Sequence, residues 1–62
     1  MFSEYELVRL QKTQAGVDAG TVGTVVMVYA SDPPGYEVEF ADSNGVTTAL
    51  LTLFDGDLDS ID

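Results

Sequence analysis

The sequence predicts a small all-β domain of about five short antiparallel strands, and three observations support this prediction. Residues 20–29, GTVGTVVMVY, place a glycine turn before a run of β-branched side chains, which is the composition of a strand. Residues 36–40, YEVEF, alternate apolar and acidic side chains, as in a strand with one buried face and one face in water. No segment shows the apolar period of an amphipathic helix.

The first half of the chain predicts a strand, a loop and a second strand. Residues 5–10 are expected to form the first strand, with Val8 and Leu10 pointing inward. Residues 11–19 are polar and small, so we expect a long surface loop. The second strand follows and runs to about Tyr29. Within it, Gly23 is expected to mark a bulge or a close approach to a neighbouring backbone.

The third strand lies between two turns. Residues 32–35, DPPG, cannot continue a hydrogen-bonded ladder and predict a loop. Residues 42–45, DSNG, are a strong hairpin sequence, because Asn and Gly both tolerate positive φ. Between these turns, the alternation sends three side chains to one face and two carboxylates into water: Tyr36, Val38 and Phe40 against Glu37 and Glu39.

The chain is expected to end with a fourth strand, a turn of tight helix and a short fifth strand. Residues 46–53 form the fourth strand, whose core side carries Ala49, Leu51 and Leu53. Leu50 falls on the opposite face with Thr48 and Thr52 and requires cover. Residues 54–58 resemble one helical turn, and residues 59–62 are expected to return as the last strand.

This element order predicts one SH3-like barrel domain spanning residues 1–62. The long first loop, the tight hairpins in the middle and the single helical turn before the last strand favour that architecture. An open meander sheet is the alternative, and an oligonucleotide-binding barrel ranks third because it normally has longer strands.

Charge and composition narrow the function. Eleven acidic residues face only Arg9 and Lys12, which gives a net charge of −9, and the chain has no cysteine and no histidine. A protein this anionic repels nucleic-acid backbones and anionic membrane surfaces and attracts basic proteins. We therefore expect no nucleic-acid and no membrane partner. No segment is apolar enough to span a membrane or to act as a leader, so we expect a cytoplasmic protein.

No residue pattern predicts catalysis. Without histidine or cysteine, the serines have no base to activate them. Glu37 and Glu39 are paired carboxylates, but a barrel this small offers no deep cleft in which to use them. Residues 55–59, DGDLD, begin like a calcium loop but lack its turn glycine and its final glutamate. We expect a non-enzymatic protein with no cofactor and no metal.

The chain resembles one known family along nearly its whole length. The segments that carry the resemblance are ELVRL at 6–10, AGTVGTVVMVY at 19–29, YEVEFAD at 36–42, LLTL at 50–53 and DL at 57–58. They are similar to the short bacterial proteins grouped as domain of unknown function 4926. The resemblance implies an SH3-like barrel and a small accessory or antitoxin-like protein, and it brings no site residues with it.

These observations predict an acidic protein-binding module that occupies a basic surface on a partner protein. We expect Glu37 and Glu39 to steer association, and Tyr29 and Tyr36 to act as anchors. The alternative is a structural homo-oligomer, for example a homodimer, that pairs through strand edges or an exposed apolar face. A small-ligand or nucleic-acid binder is a third, less favoured function.

Overall fold

A five-stranded antiparallel sheet organises the computed structural model, which describes residues 1–61. The strands are β1 (Leu7–Leu10), β2 (Val22–Tyr29), β3 (Gly35–Ala41), β4 (Thr47–Phe54) and β5 (Leu58–Ser60), and a 3-10 turn covers Asp55–Asp57. Their order across the sheet is β4-β3-β2-β1-β5. Within residues 1–61, no helix is long and apolar enough to cross a membrane.

The predicted fold class is confirmed: the protein is all-β, with five antiparallel strands and one 3-10 turn before the last strand. The first strand is shorter than expected, because Tyr5 lies in a turn with φ of 70°. The last strand begins one residue early, at Leu58, and the predicted strand position at Asp62 lies outside the described residues. The assignment to the SH3-like barrels stays a prediction.

The core lies on one face of the sheet. Alternation along β1 and β3 sends every second side chain to this face, as the sequence predicts. The buried residues are Val8, Leu10, Val17, Val25, Tyr36, Val38, Phe40, Leu53 and Leu58. Ala49 and Leu51 of β4 pack against this cluster from partly exposed positions.

The prediction of a surface loop at residues 11–19 is wrong at one position. Val17 is 8% exposed and belongs to the core. Gln14 and Val17 exchange two backbone hydrogen bonds, of 3.0 and 2.9 Å, and these form a tight turn within the loop. The loop therefore carries an apolar side chain down to the core while its other residues stay largely exposed.

Gly23 lets β2 pass very close to the core side chains of β3. A Cβ atom at this position would lie 2.7 Å from Phe40 Cε1 and 2.8 Å from Val38 Cγ1, which is closer than carbon atoms can approach. The expected close approach is therefore to side chains, not to backbone. The irregularity of β2 lies elsewhere, between Val25 and Met27.

Candidate protein-binding face

The sheet face opposite the core carries exposed apolar side chains, and we call it the outer face. Burial alternates along the strands, so the residues between the core positions point to this side. Six large apolar residues of the outer face have between 41% and 54% of their surface exposed: Leu7, Val22, Met27, Tyr29, Leu50 and Phe54. Exposed apolar residues grouped on one surface are typical of interaction sites.

The strand register arranges the outer face in rows that cross the sheet. One row runs Leu7, Thr24, Glu39, Leu50 from β1 to β4. The next row runs Met27, Glu37, Thr52, and the third runs Tyr29, Gly35, Phe54. Each carboxylate thus has one large apolar side chain and one threonine as its cross-strand neighbours, so a partner that contacts the carboxylates also meets apolar surface.

Two aromatic rings lie over Gly35, one from each neighbouring strand. The position of a Cβ atom on Gly35 would be 3.5 Å from Phe54 Cε1 and 3.6 Å from Tyr29 Cδ2. The rings therefore cover the glycine backbone from the two neighbouring strands, while 41% of Tyr29 and 46% of Phe54 remain exposed. Phe54 was not predicted as a binding residue, although its alternation with Leu50 and Thr52 along β4 places it on this face.

Glu37 and Glu39 lie together on the outer face, as predicted. They are half-buried neighbours on β3, about 7 Å apart along the strand. The Thr52 hydroxyl donates a hydrogen bond to Glu37 Oε1, which holds this carboxylate beside β4. Arg9 lies at the far side of the sheet, where β1 pairs with β5, next to Asp59. The surface around the two glutamates therefore stays anionic.

The expectation that Tyr36 anchors a partner needs correction, because its side chain is fully buried. Its hydroxyl accepts a hydrogen bond from the Phe2 backbone N–H at 3.1 Å and donates one to Asp55 Oδ1 at 2.7 Å. The Phe2 ring packs edge-on against it, with centroids 5.5 Å apart. Burial raises the pKa of Tyr36, and the bond to Asp55 raises it further. Tyr36 thus connects the N-terminus to the 3-10 turn.

The carboxylates after β4 have structural hydrogen bonds. Asp55 accepts the Tyr36 hydroxyl, Asp57 Oδ2 accepts the Phe54 backbone N–H at 3.0 Å, and Asp59 Oδ1 accepts Gln11 Nε2 at 2.8 Å. Within residues 1–61, no group of three or more acidic side chains is arranged to hold a metal ion. The partial calcium-loop sequence therefore closes a turn in this structure.

The fold and the outer face define a small all-β domain with a mixed acidic and apolar sheet surface. The chain matches the model of the family described as Domain of unknown function (DUF4926) over residues 4–60, and it belongs to that family. No curated protein and no solved structure matches it. The predicted family membership is confirmed. Because this family has no assigned function, a function has to be inferred from the outer face.

Proposed function

We propose that this protein is a non-enzymatic binding module whose outer face docks on a basic surface of a partner protein. The observation that carries the proposal is the placement of Glu37 and Glu39 among exposed Met27, Tyr29 and Phe54 on one sheet face. The net charge of −9 also attracts basic proteins at long range. An antitoxin-like or accessory role in the bacterial cytoplasm, without a cofactor, fits such a module.

The two kinds of side chain have different tasks in this proposal. Carboxylates attract a basic partner during the encounter and determine which partners are accepted. Aromatic and other apolar side chains that become fully buried supply most of the affinity. Tyr29 and Phe54 are the strongest anchors of this face, because Gly35 between them leaves their rings accessible.

A position-specific crosslink tests the proposal, and the absence of native cysteine makes it practicable. Thr24→Cys places a single photoreactive maleimide label on the outer face, between Leu7 and Glu39. Ser43→Cys places the same label on the exposed hairpin turn as a matched control. In lysate of the source organism, we expect the label at position 24 to capture a basic protein and the label at position 43 not to.

Capture of the same proteins from both positions, or of an acidic protein from position 24, would contradict the proposal. Added salt gives a second readout, because it shortens the reach of charge from about 30 Å at 0.01 M to about 10 Å at 0.1 M. The yield from position 24 is therefore expected to fall as salt rises.

The anchors give a separate prediction about the bound lifetime. Tyr29→Ala and Phe54→Ala are each expected to speed dissociation of the captured partner by about tenfold or more, as truncation of a buried anchor does. Both residues are more than 40% exposed in the free protein, so the variants should keep a near-native melting temperature. Surface-plasmon kinetics with the purified partner measures the change. Unaltered dissociation in both variants would show that the rings do not contact the partner.

Charge repulsion within the chain gives a prediction about stability. In residues 1–61, the one ion pair joins the N-terminal amino group to Asp55 at 3.8 Å and is largely exposed. Most of the eleven carboxylates therefore repel one another without compensation. We expect the melting temperature to rise between 0.01 and 0.3 M NaCl, since the added ions screen this repulsion. A steady fall in a calorimetric salt series would show that specific ion pairs dominate.

A further inference from the structure

The free edge of β4 carries no charge in a highly charged protein. β4 is the outermost strand of the sheet on that side, and its eight residues, TTALLTLF, contain no acidic residue, lysine, proline or glycine. Protein sheets normally protect such an edge with charge, proline or a bulge, because its unpaired backbone groups can bind another strand. β4 has a register shift beside Thr48, but residues 49–54 beyond it pair with β3 without interruption. Within residues 1–61, no strand pairs with this side of β4.

Hydrogen bonds show which backbone groups of β4 face outward. The Thr48 hydroxyl donates to the Phe40 carbonyl at 3.3 Å, so that carbonyl points toward β4. Phe40 lies opposite Ala49. From Ala49 towards Phe54, successive residues of β4 direct their backbone N–H and C=O groups alternately towards β3 and away from it. The backbone groups of Ala49 and Leu51 therefore face β3. Those of Leu50 and Thr52 therefore face the free edge. Thr48 lies at a register shift of the β3–β4 ladder, where this alternation is interrupted.

The edge is also self-complementary. Residues 48–52, TALLT, have a threonine two positions before Leu50 and another two positions after it. In an antiparallel pair of identical strands centred on Leu50, Leu50 meets its own copy and Thr48 meets Thr52. The central Leu50 pairing uses the outward backbone groups of both strands and gives two hydrogen bonds, and the outward groups of Thr52 meet Thr48 of the other copy at its register shift. On the core side, small Ala49 meets larger Leu51.

We propose that β4 pairs with β4 of a second copy of this chain, about a two-fold axis at Leu50, to give a continuous sheet of two domains. This pairing covers Leu50, which is 54% exposed in the single chain. It stands independently of the proposed function. Because the axis is perpendicular to the sheet, both outer faces lie on the same side of the dimer.

The uncharged composition of β4 favours a second copy as the occupant over a basic strand. A basic strand would find no carboxylate on β4 itself. In the dimer, the nearest acidic strands are the two copies of β3, three strand spacings or about 14 Å apart. That distance exceeds the Debye length of about 8 Å at physiological salt, so repulsion between the copies is largely screened. Higher salt therefore strengthens self-pairing, whereas it weakens the binding of a basic partner.

Two opposite substitutions at one residue test the proposal. Leu50→Glu and Leu50→Lys each place like charges directly opposite one another across the two-fold axis, so each variant alone is expected to dimerise about tenfold or more weakly. An equimolar mixture places Glu opposite Lys and is expected to restore a mixed dimer. Leu50→Thr, which is neutral and suited to a strand, is the matched control. Sedimentation velocity over a protein concentration series measures each equilibrium, and native mass spectrometry identifies the mixed dimer.

The outcomes separate the possible occupants. A wild-type protein that stays monomeric at millimolar concentration and 0.15 M salt would overturn the proposal, as would dimers that persist in both charged variants. The Leu50→Glu and Leu50→Lys variants could instead have opposite effects on the capture of a basic protein while none of the proteins self-associates. That result would overturn the proposal and assign the free edge of β4 to the basic partner. Thr52→Pro is a second check, because it removes an outward N–H and leaves the β3–β4 ladder intact. It should also weaken the dimer.

Discussion

Replacing Gly23 by alanine is expected to destabilise the protein by about 1–3 kcal/mol, the usual cost of forcing an extra methyl group into a packed core. The new Cβ would fall 2.7 Å from the Phe40 ring and 2.8 Å from Val38 Cγ1. Both neighbours are fully buried, so neither can move into water to relieve the contact. In a 62-residue domain with marginal stability, this cost is a large part of the total.

Chemical denaturation of the variant and a matched control measures this effect. Gly56→Ala is the control, because a Cβ at Gly56 meets nothing within 4 Å. It adds the same methyl group in open space and should change the free energy of unfolding by less than about 1 kcal/mol. Equal losses in the two variants would show that the contact with Phe40 does not determine the need for glycine at position 23.

Tyr36→Phe is expected to cost about 1–2 kcal/mol at neutral pH, since it removes a buried hydroxyl that makes two hydrogen bonds. The Phe2 N–H and the Asp55 carboxylate lose this partner and must bind water instead. The ring itself remains, so the core keeps its volume. Tyr29→Phe removes an exposed hydroxyl from the outer face and is the matched control.

The same residue links stability to alkaline pH. The pKa of Tyr36 is raised by burial and by Asp55, so the folded protein holds this proton more tightly than the unfolded chain does. The resulting stability is complete below the unfolded pKa of about 10 and is lost as pH rises through the higher folded pKa. Tyr36→Phe should therefore show a shallower loss of unfolding free energy above pH 10 than the wild type or Tyr29→Phe. Parallel curves for all three proteins would contradict this linkage.

Local sequence patterns predicted the strands well, because alternation and turn residues act over a few neighbours. The pattern YEVEF placed Tyr36 with Val38 and Phe40 on the buried side and the two glutamates on the other, and the structure has this arrangement. The choice of Tyr36 as an anchor ignored that pattern. Burial of a tyrosine needs a partner for its hydroxyl, and that partner, Asp55, is 19 residues away in the sequence.

Other features depend on contacts that no local pattern contains. The burial of Val17 requires its loop to reach the core, and the space above Gly23 is filled by side chains from another strand. The row Tyr29, Gly35, Phe54 exists only once the register of three strands is set. Leu50 was recognised as a residue in need of cover, but the sequence alone did not show that it lies on a free edge.

The association rate of charge-reversed variants with the crosslinked partner tests the central claim, that the outer face docks on a basic surface. Glu37→Lys with Glu39→Lys changes the net charge from −9 to −5, because each reversal adds two charges. Glu4→Lys with Asp18→Lys makes the same change at exposed positions outside the five strands. We predict that the outer-face pair slows association about tenfold or more at low salt and that the control pair slows it far less. Equal rates for the two double variants would show that only total charge matters and would contradict the assignment of the outer face.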